Sequence, residues 1–340
     1  MSRREYISAI SKARNVASFP ISTIEYWDFS VAIFVSRDKD EEVQRAIKAI
    51  VAAYIAPVVV DVVINGNAEL AERIARWVSK EALNRTQIVC IRIWTVDLAN
   101  KAHAWNTFIY GIAPVAKMYV FLDGYVEVNR ETFQVILEAQ SKNKKALAFS
   151  GSPLTGRTSQ VMKKVYEEEG GLHGNCFALT HLCVMQIRAE VIVLPIGLYG
   201  FDTVLGGMLG FGLDPRNQEW RVKDHIINIP TLHWTVPEKS VLSVRDVQTQ
   251  FKRVRNNALR RIVRRATVFH LESNRRSLGE LGITIDQYIR PWLEHCKRDY
   301  LSEIVRMPLV LYEIRRMHKR YSWNAALVPA NCLTIKCSEN

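Results

Sequence analysis

The sequence predicts an α/β chain with a mostly parallel sheet flanked by helices and a helical extension at its C-terminal end. Three observations carry this. Short β-branched runs alternate with amphipathic helical patterns across residues 31–123, and such alternation gives parallel strands joined by crossover helices. The middle third turns Gly-rich, with shorter apolar runs, as expected of a site-forming region wrapped on the sheet. From residue 244 onward the apolar spacing is helical.

The elements follow in order. Val31-Ala-Ile-Phe-Val35 reads as a buried strand. Residues 38–54 place Val43, Ile47, Ile50 and Val51 at helical spacing. Asp40, Glu41 and Glu42 fall in the first turn, where the helix dipole favours carboxylates. Residues 58–64 form a second buried strand, ended by the turn signal Asn65-Gly66-Asn67. A helix over 68–82, a strand over 87–94, a helix over 98–113 and a strand over 118–122 complete the series, the last closing on Asp123. Ligands bind such sheets at the carboxyl ends of the strands. Those ends carry Ser36, Asn65-Gly66, residues 95–101 and Asp123. The last third reads as helices over 244–268, 285–305 and 309–320. This divides the chain into an N-terminal helical segment (1–28), an α/β domain (29–240) and a basic helical extension (241–340).

Composition narrows the class. A chain of 340 residues with 48% hydrophobic and 24% charged residues builds an ordinary globular core, which excludes collagen-like and disordered chains. The six cysteines show no Cys-x-x-Cys spacing and no zinc-like cluster with His, so reduced thiols in a cytoplasmic protein are expected. No apolar run reaches the ~18–20 residues of a spanning helix, and no signal-type apolar segment follows the N-terminal charges. The net charge of +12 is unevenly spread: residues 1–235 carry +2 and residues 236–340 carry +10. The positive charge therefore belongs to the extension.

The motifs resemble a known family. Val31–Val35, Ile64-Asn65-Gly66-Asn67, Asn100-Lys101-Ala102-His103-Ala104-Trp105-Asn106 and Phe121-Leu122-Asp123-Gly124-Tyr125-Val126-Glu127 stand in the order seen in glycosyltransferase family 2. The likeness continues through Gly174-Asn175-Cys176 and Gly200-Phe201-Asp202-Thr203-Val204-Leu205, covering residues 30–235. The resemblance implies a GT-A-like (Rossmann-like) catalytic domain. It also implies inverting hexosyl transfer, of the kind used in polysaccharide biosynthesis. The donor would be a nucleoside-diphosphate sugar, a UDP-sugar foremost, and the acceptor a glycan or lipid-linked molecule.

That chemistry needs a base for the acceptor hydroxyl and positive charge for the leaving diphosphate. The resemblance makes Asp202 the base; the plainer account of an Asp before Thr-Val-Leu is a helix N-cap. It makes Asp123 the metal–diphosphate anchor, with Gly124 beside it, and implies a divalent metal, Mn²⁺ or Mg²⁺. The family pattern expects a second acid at 125, where this chain has Tyr125, so metal dependence stays open. Glu127 reaches the same side if the chain remains extended, and His233 is a third candidate ligand. Phe201 also departs from the pattern, standing where an acid is expected. Lys101, at a helix start, attracts phosphate or is a solvated charge. Asn65 and Gly66 contact the nucleotide or form a simple turn, and Ser36 and Arg37 adjoin the base or ribose.

Residues 251–265 contain seven Lys/Arg and no acid, with apolar residues at helical spacing. Such a helix packs on the core, meets an anionic membrane surface at the inner face of the membrane, or binds nucleic acid; the last lacks any recognisable module. Arg253, in a partial Gln-x-x-Arg match, is a candidate diphosphate contact. The two missing acids also leave a second reading, a catalytically degenerate nucleotide- or glycan-binding protein.

Overall fold

Unbroken runs of β-branched residues build the centre of the sheet. In the computed structural model the described residues are 2–15, 26–53, 55–81, 89–155, 159–237, 244–317 and 323–333. Among them, β1 is Arg14–Asn15, β2 Trp27–Val35, β3 Val58–Asn65, β4 Val89–Val96 and β5 Ala116–Asp123. β6 is Glu127–Val128, β7 Ala148–Pro153, β8 Cys176–Thr180, β9 Ile226–Thr235 and β10 Asn331–Leu333. They form one sheet in the order β1-β10-β4-β3-β2-β5-β8-β7-β9-β6. β4, β3, β2 and β5 are mutually parallel. Helices cover both their faces, so β3 is buried at every position. β8 joins β5 antiparallel, β7 joins β8 antiparallel, and β9 runs parallel to β7. The middle third thus adds three strands to the same sheet.

Register decides where ligands meet the chain. Phe34 on β2 pairs with Asp123 on β5, Val35 with Ile64 on β3, and Asn65 with Val96 on β4. The carboxyl ends of the four parallel strands therefore stop at one level, and the loops after them share one edge.

The helices between the strands follow their apolar stripes. Asp40–Ala53 buries Val43, Ala46, Ile47 and Ile50, and Ala68–Glu81 buries Leu70, Ala71, Ile74 and Val78. The first begins two residues later than its periodicity suggests. Asp38 stays in the loop because its carboxylate accepts the Ser36 N–H at 3.0 Å. Lys101–Thr107 starts where Asn100 accepts the His103 N–H at 3.0 Å, and passes into a π-turn over Phe108–Ile112.

The basic helix Val244–Thr267 lies on the core: Ala258, Leu259, Ile262, Val263 and Ala266 are buried. These apolar residues therefore face the core and not a membrane surface, while Val254 is exposed. Arg261 and Arg265 both reach the buried Glu303, at 2.7 and 3.2 Å. The expected 285–305 helix is two helices, Ile285–His295 and Lys297–Arg306, because Cys296 leaves helical geometry (φ −108°, ψ 49°). The extension is also not wholly helical, since β10 pairs antiparallel with β4. Among the described residues no helix is long and apolar enough to cross a membrane.

Two buried polar groups hold the frame. Asp61, on β3 and fully buried, accepts from Arg92 Nε and Nη2 at 2.6 and 2.9 Å and from Trp94 Nε1 at 2.7 Å. His103 Nδ1 lies 2.7 Å from the Tyr6 hydroxyl, tying the N-terminal helix Arg3–Ile10 to the 101–107 helix. Burial lowers the His103 pKa from 6.5 to about 4.

Asp61→Ala leaves the Arg92 charge unpaired with only 17% of its side chain exposed; a loss of about 3–5 kcal/mol in urea unfolding is expected. A pH effect follows from His103. Its folded-state pKa is depressed, so the unfolded chain binds its proton first and stability falls as pH drops below 6.5 toward about 4. The expected contribution is on the order of 2 kcal/mol between pH 7 and about pH 4.5. His103→Gln should show a correspondingly flatter stability–pH profile, and an unchanged slope would contradict the assignment.

Candidate active site

Two cavities bear on the site: Lys101 of the first bonds the Gly174 carbonyl, and Asp202 of the second lies against Gly174. The first, of about 220 Å³, is lined by Phe34, Ser36, Arg37, Asp38, Asn65, Lys101, Asp123 and Tyr125. These residues come from the ends of β2, β3 and β5 and the start of the 101–107 helix. Asp123 is its hub. Lys101 Nζ donates to Asp123 Oδ1 and to the Gly174 carbonyl at 3.1 Å, and the Tyr125 hydroxyl donates to Asp123 Oδ2 at 2.9 Å. The Lys101 ammonium also sits 4.6 Å from the centre of the Phe201 ring, a cation–π contact. Burial and the neighbouring Asp123 push the Tyr125 pKa far up, so it stays a neutral phenol. Burial first, then Asp123, raises the Asp38 pKa as well.

The glycines here are set by space. A Cβ on Gly124 would come 2.9 Å from Asp38 Oδ2, and one on Gly174 would come 2.9 Å from Asp202 Cγ. Gly66 has φ +69°, and a Cβ there would meet Ala99 at 2.4 Å. Gly66 thus shapes the turn that leaves the buried Asn65 facing the cavity.

The second cavity, of about 460 Å³, has Asp202 at its edge and is lined among others by Tyr166, Glu169, Trp220, Arg264 and Glu272. Asp202 does not cap its helix, Phe201–Gly210. The cap position is Gly200, at φ +75°, and no side chain caps there. The Asp202 carboxylate is free to face Gly174 and the cavity, with Arg260 Nη2 at 3.8 Å. Burial, then Asp202, pushes the Tyr166 hydroxyl up to about 12. His173 lies near both Asp202 and Asp123; burial lowers its pKa to about 4, so it is neutral at pH 7. Its ring packs against Trp234, with centroids 5.0 Å apart.

The structure brings Ser36, Asn65, Lys101 and Asp123 to one cavity and puts Asp202 at the edge of the other. It does not bring the three candidate metal ligands together. The chain turns after Asp123, with the Val126 N–H donating to the Asp123 carbonyl, so it does not stay extended to Glu127. Glu127 instead pairs with Arg45 at 2.8 Å. His233 Nδ1 faces Ser152, 3.4 Å from its hydroxyl and 3.3 Å from its carbonyl oxygen. Among the described residues no group of three His, Cys, Asp or Glu is placed to hold a metal ion. The Arg253 side chain lies outside the described residues. Asp38, Tyr166, His173 and Trp220 stand in no motif of the sequence, and Arg260 and Arg264 read there only as charges of the basic helix. The one signal for His173 was its setting, Gly170-Gly171-Leu172-His173-Gly174.

The fold, once in view, can be set beside known proteins. No family model matches the chain, and no curated protein matches it by sequence. Solved structures do match. The mannosyltransferase PcManGT from Pyrobaculum calidifontis, in complex with GDP-Man and Mn²⁺, is 14% identical, with a TM-score of 0.50 over 95% of this chain and 84% of that one. TarS residues 1–349 from S. aureus, in complex with UDP-GlcNAc, are 10% identical, with a TM-score of 0.46 over 88% and 84%. The chain therefore has a glycosyltransferase-like α/β fold, a mixed sheet with a parallel centre flanked by helices.

Proposed function

We propose that this chain is a glycosyltransferase that moves a sugar from a nucleoside-diphosphate sugar to a glycan-type acceptor. One observation carries the reading: Gly174 touches both Lys101, which lines one cavity with Asp123, and Asp202, which lines the other. A displacement at an anomeric carbon needs that division, with the leaving group bound on one side and the nucleophile on the other. The fold shared with a mannosyltransferase that binds GDP-Man supports it.

In this reading the nucleotide occupies the smaller cavity. Asn65, Asp38 and Ser36 provide polar groups for base and ribose, and Lys101 faces the diphosphate. The acceptor occupies the larger cavity, where the half-exposed Trp220 offers an apolar ring for a sugar face and Glu169 and Glu272 accept from hydroxyls. Asp202 takes the proton of the attacking hydroxyl. The new bond forms between that oxygen and the anomeric carbon. The bond to the diphosphate oxygen breaks, and its electron pair leaves with the diphosphate. A single displacement of this kind inverts the anomeric configuration. A divalent metal would stabilise the leaving group in the usual way, but the donor set around Asp123 does not fit one, and no step is assigned to it.

Tyr125 and Phe201 favour a second reading, a nucleotide- or glycan-binding protein without turnover. A screen of UDP- and GDP-sugars separates the two. Transfer or slow donor hydrolysis supports the enzyme, whereas thermal stabilisation with no turnover supports the binding protein. For the enzyme, Asp202→Asn should lower kcat by about 10²–10⁴ while donor binding is retained; normal turnover in that variant would sink Asp202 as base. Trp220→Ala should raise the acceptor KM by about tenfold and leave the donor KM unchanged. Equal effects on both would remove Trp220 from the acceptor site.

A further inference from the structure

The two positions where an acid is expected and missing, 125 and 201, lie far apart in sequence but each touches one member of a single ion pair, Asp123 and Lys101. Tyr125 donates its hydroxyl to Asp123 Oδ2, and the Phe201 ring lies 4.6 Å beneath the Lys101 ammonium. Neither adds a negative charge. The ammonium is held from three sides, by Asp123 Oδ1, the Gly174 carbonyl and the Phe201 face. An ammonium has three N–H donors. Two are taken by Asp123 and Gly174, and the side chain is still 31% exposed on the smaller cavity.

A divalent ion in this place would need one or two free carboxylates, with phosphate oxygens and water completing its shell. Both Asp123 oxygens already accept hydrogen bonds, from Lys101 and from Tyr125. Asp38, the other carboxylate lining the cavity, accepts the Ser36 N–H. Glu127 is paired with Arg45 and His233 faces Ser152. Charge balance agrees: the cavity's two acids, Asp123 and Asp38, are matched by its two bases, Lys101 and Arg37, so no net negative charge is left to offset a doubly charged ion.

Resting on the glycosyltransferase reading, we infer that the Lys101 ammonium does here what a divalent metal does elsewhere, binding the donor's diphosphate through its third N–H. When the bond from the anomeric carbon to the diphosphate oxygen breaks and the electron pair moves to that oxygen, the added charge develops against a fixed cation. Charge-assisted hydrogen bonds of this kind strengthen as the acceptor gains charge.

The test is calorimetric titration of the full chain with UDP and with GDP, once in EDTA and once in Mn²⁺. The expected result is the same affinity in both buffers, within about twofold. Lys101→Met should weaken binding by about tenfold or more, and Lys101→Arg should restore most of it. Thermal unfolding checks that each variant is folded, and Lys101→Gln replaces Lys101→Met if the latter is not. Wild-type binding that weakens tenfold or more in EDTA, or a folded Lys101→Met that binds normally, overturns the inference. Mn²⁺-dependent binding leaves the glycosyltransferase reading intact. Failure to bind either nucleotide in either buffer removes that reading, and this inference with it.

Discussion

The carboxylate of Asp123 is the point on which the site depends. It ends the central strand β5, and parallel register with β2 puts it level with the loops that follow the neighbouring strands. One oxygen takes the Lys101 ammonium and the other the Tyr125 hydroxyl. Its own N–H donates to the Asn175 carbonyl at 3.0 Å, joining the parallel half of the sheet to the segment that enters β8. The 101–107 helix start, the turn after β5 and the Gly174 backbone therefore meet around one partly buried acid. In partly buried surroundings such bonds are stronger than at the surface, and leaving one member unpaired costs correspondingly more.

Gly174 carries this arrangement across to the second cavity. Its carbonyl accepts from Lys101, and the space a Cβ would need is filled by Asp202. The Asp123 and Asp202 carboxylates are thus kept close by a residue without a side chain. The basic helix completes the same wall: Arg260 approaches Asp202 and stacks its guanidinium over Tyr199, and Arg264 lines the larger cavity. Its charge is directed inward as well as outward. Arg261 and Arg265 are spent on Glu303, whose pKa their two guanidinium groups pull below the usual carboxylate range against the opposing effect of burial.

The parallel half of the fold was legible in the sequence because its signals are local. Val31–Val35, Val58–Ile64 and the strand closing on Asp123 are β-branched or apolar runs bounded by turns, and the helices between them show their stripes within two or three turns. Strands β7, β8 and β9 were not legible individually. β7 and β9 carry Ser150, Ser152, Asn228 and Pro230 within apolar runs, which breaks their alternation, and β8 is a five-residue apolar run whose periodicity does not tell strand from helix. β10 is three residues long, and only its pairing with β4 makes it a strand.

What the sequence determined by itself was the order of strand ends and the residues placed there, among them Asn65, Lys101 and Asp123. Periodicity and turn chemistry act over a few residues and need no partner. What only the tertiary structure decided was what each of these groups faces. Asp202 looks like a helix cap in isolation, yet Gly200 holds that position and the carboxylate turns to the cavity. Glu127 looks aligned with Asp123 until the turn after β5 sends it to Arg45. Tyr125 and Phe201 look like two unrelated losses until they are seen against the Asp123–Lys101 pair, Tyr125 on the carboxylate and Phe201 on the ammonium. Charge pairing, hydrogen bonding and burial act through space between residues remote in the chain, so they are settled only when the strands and loops are in place.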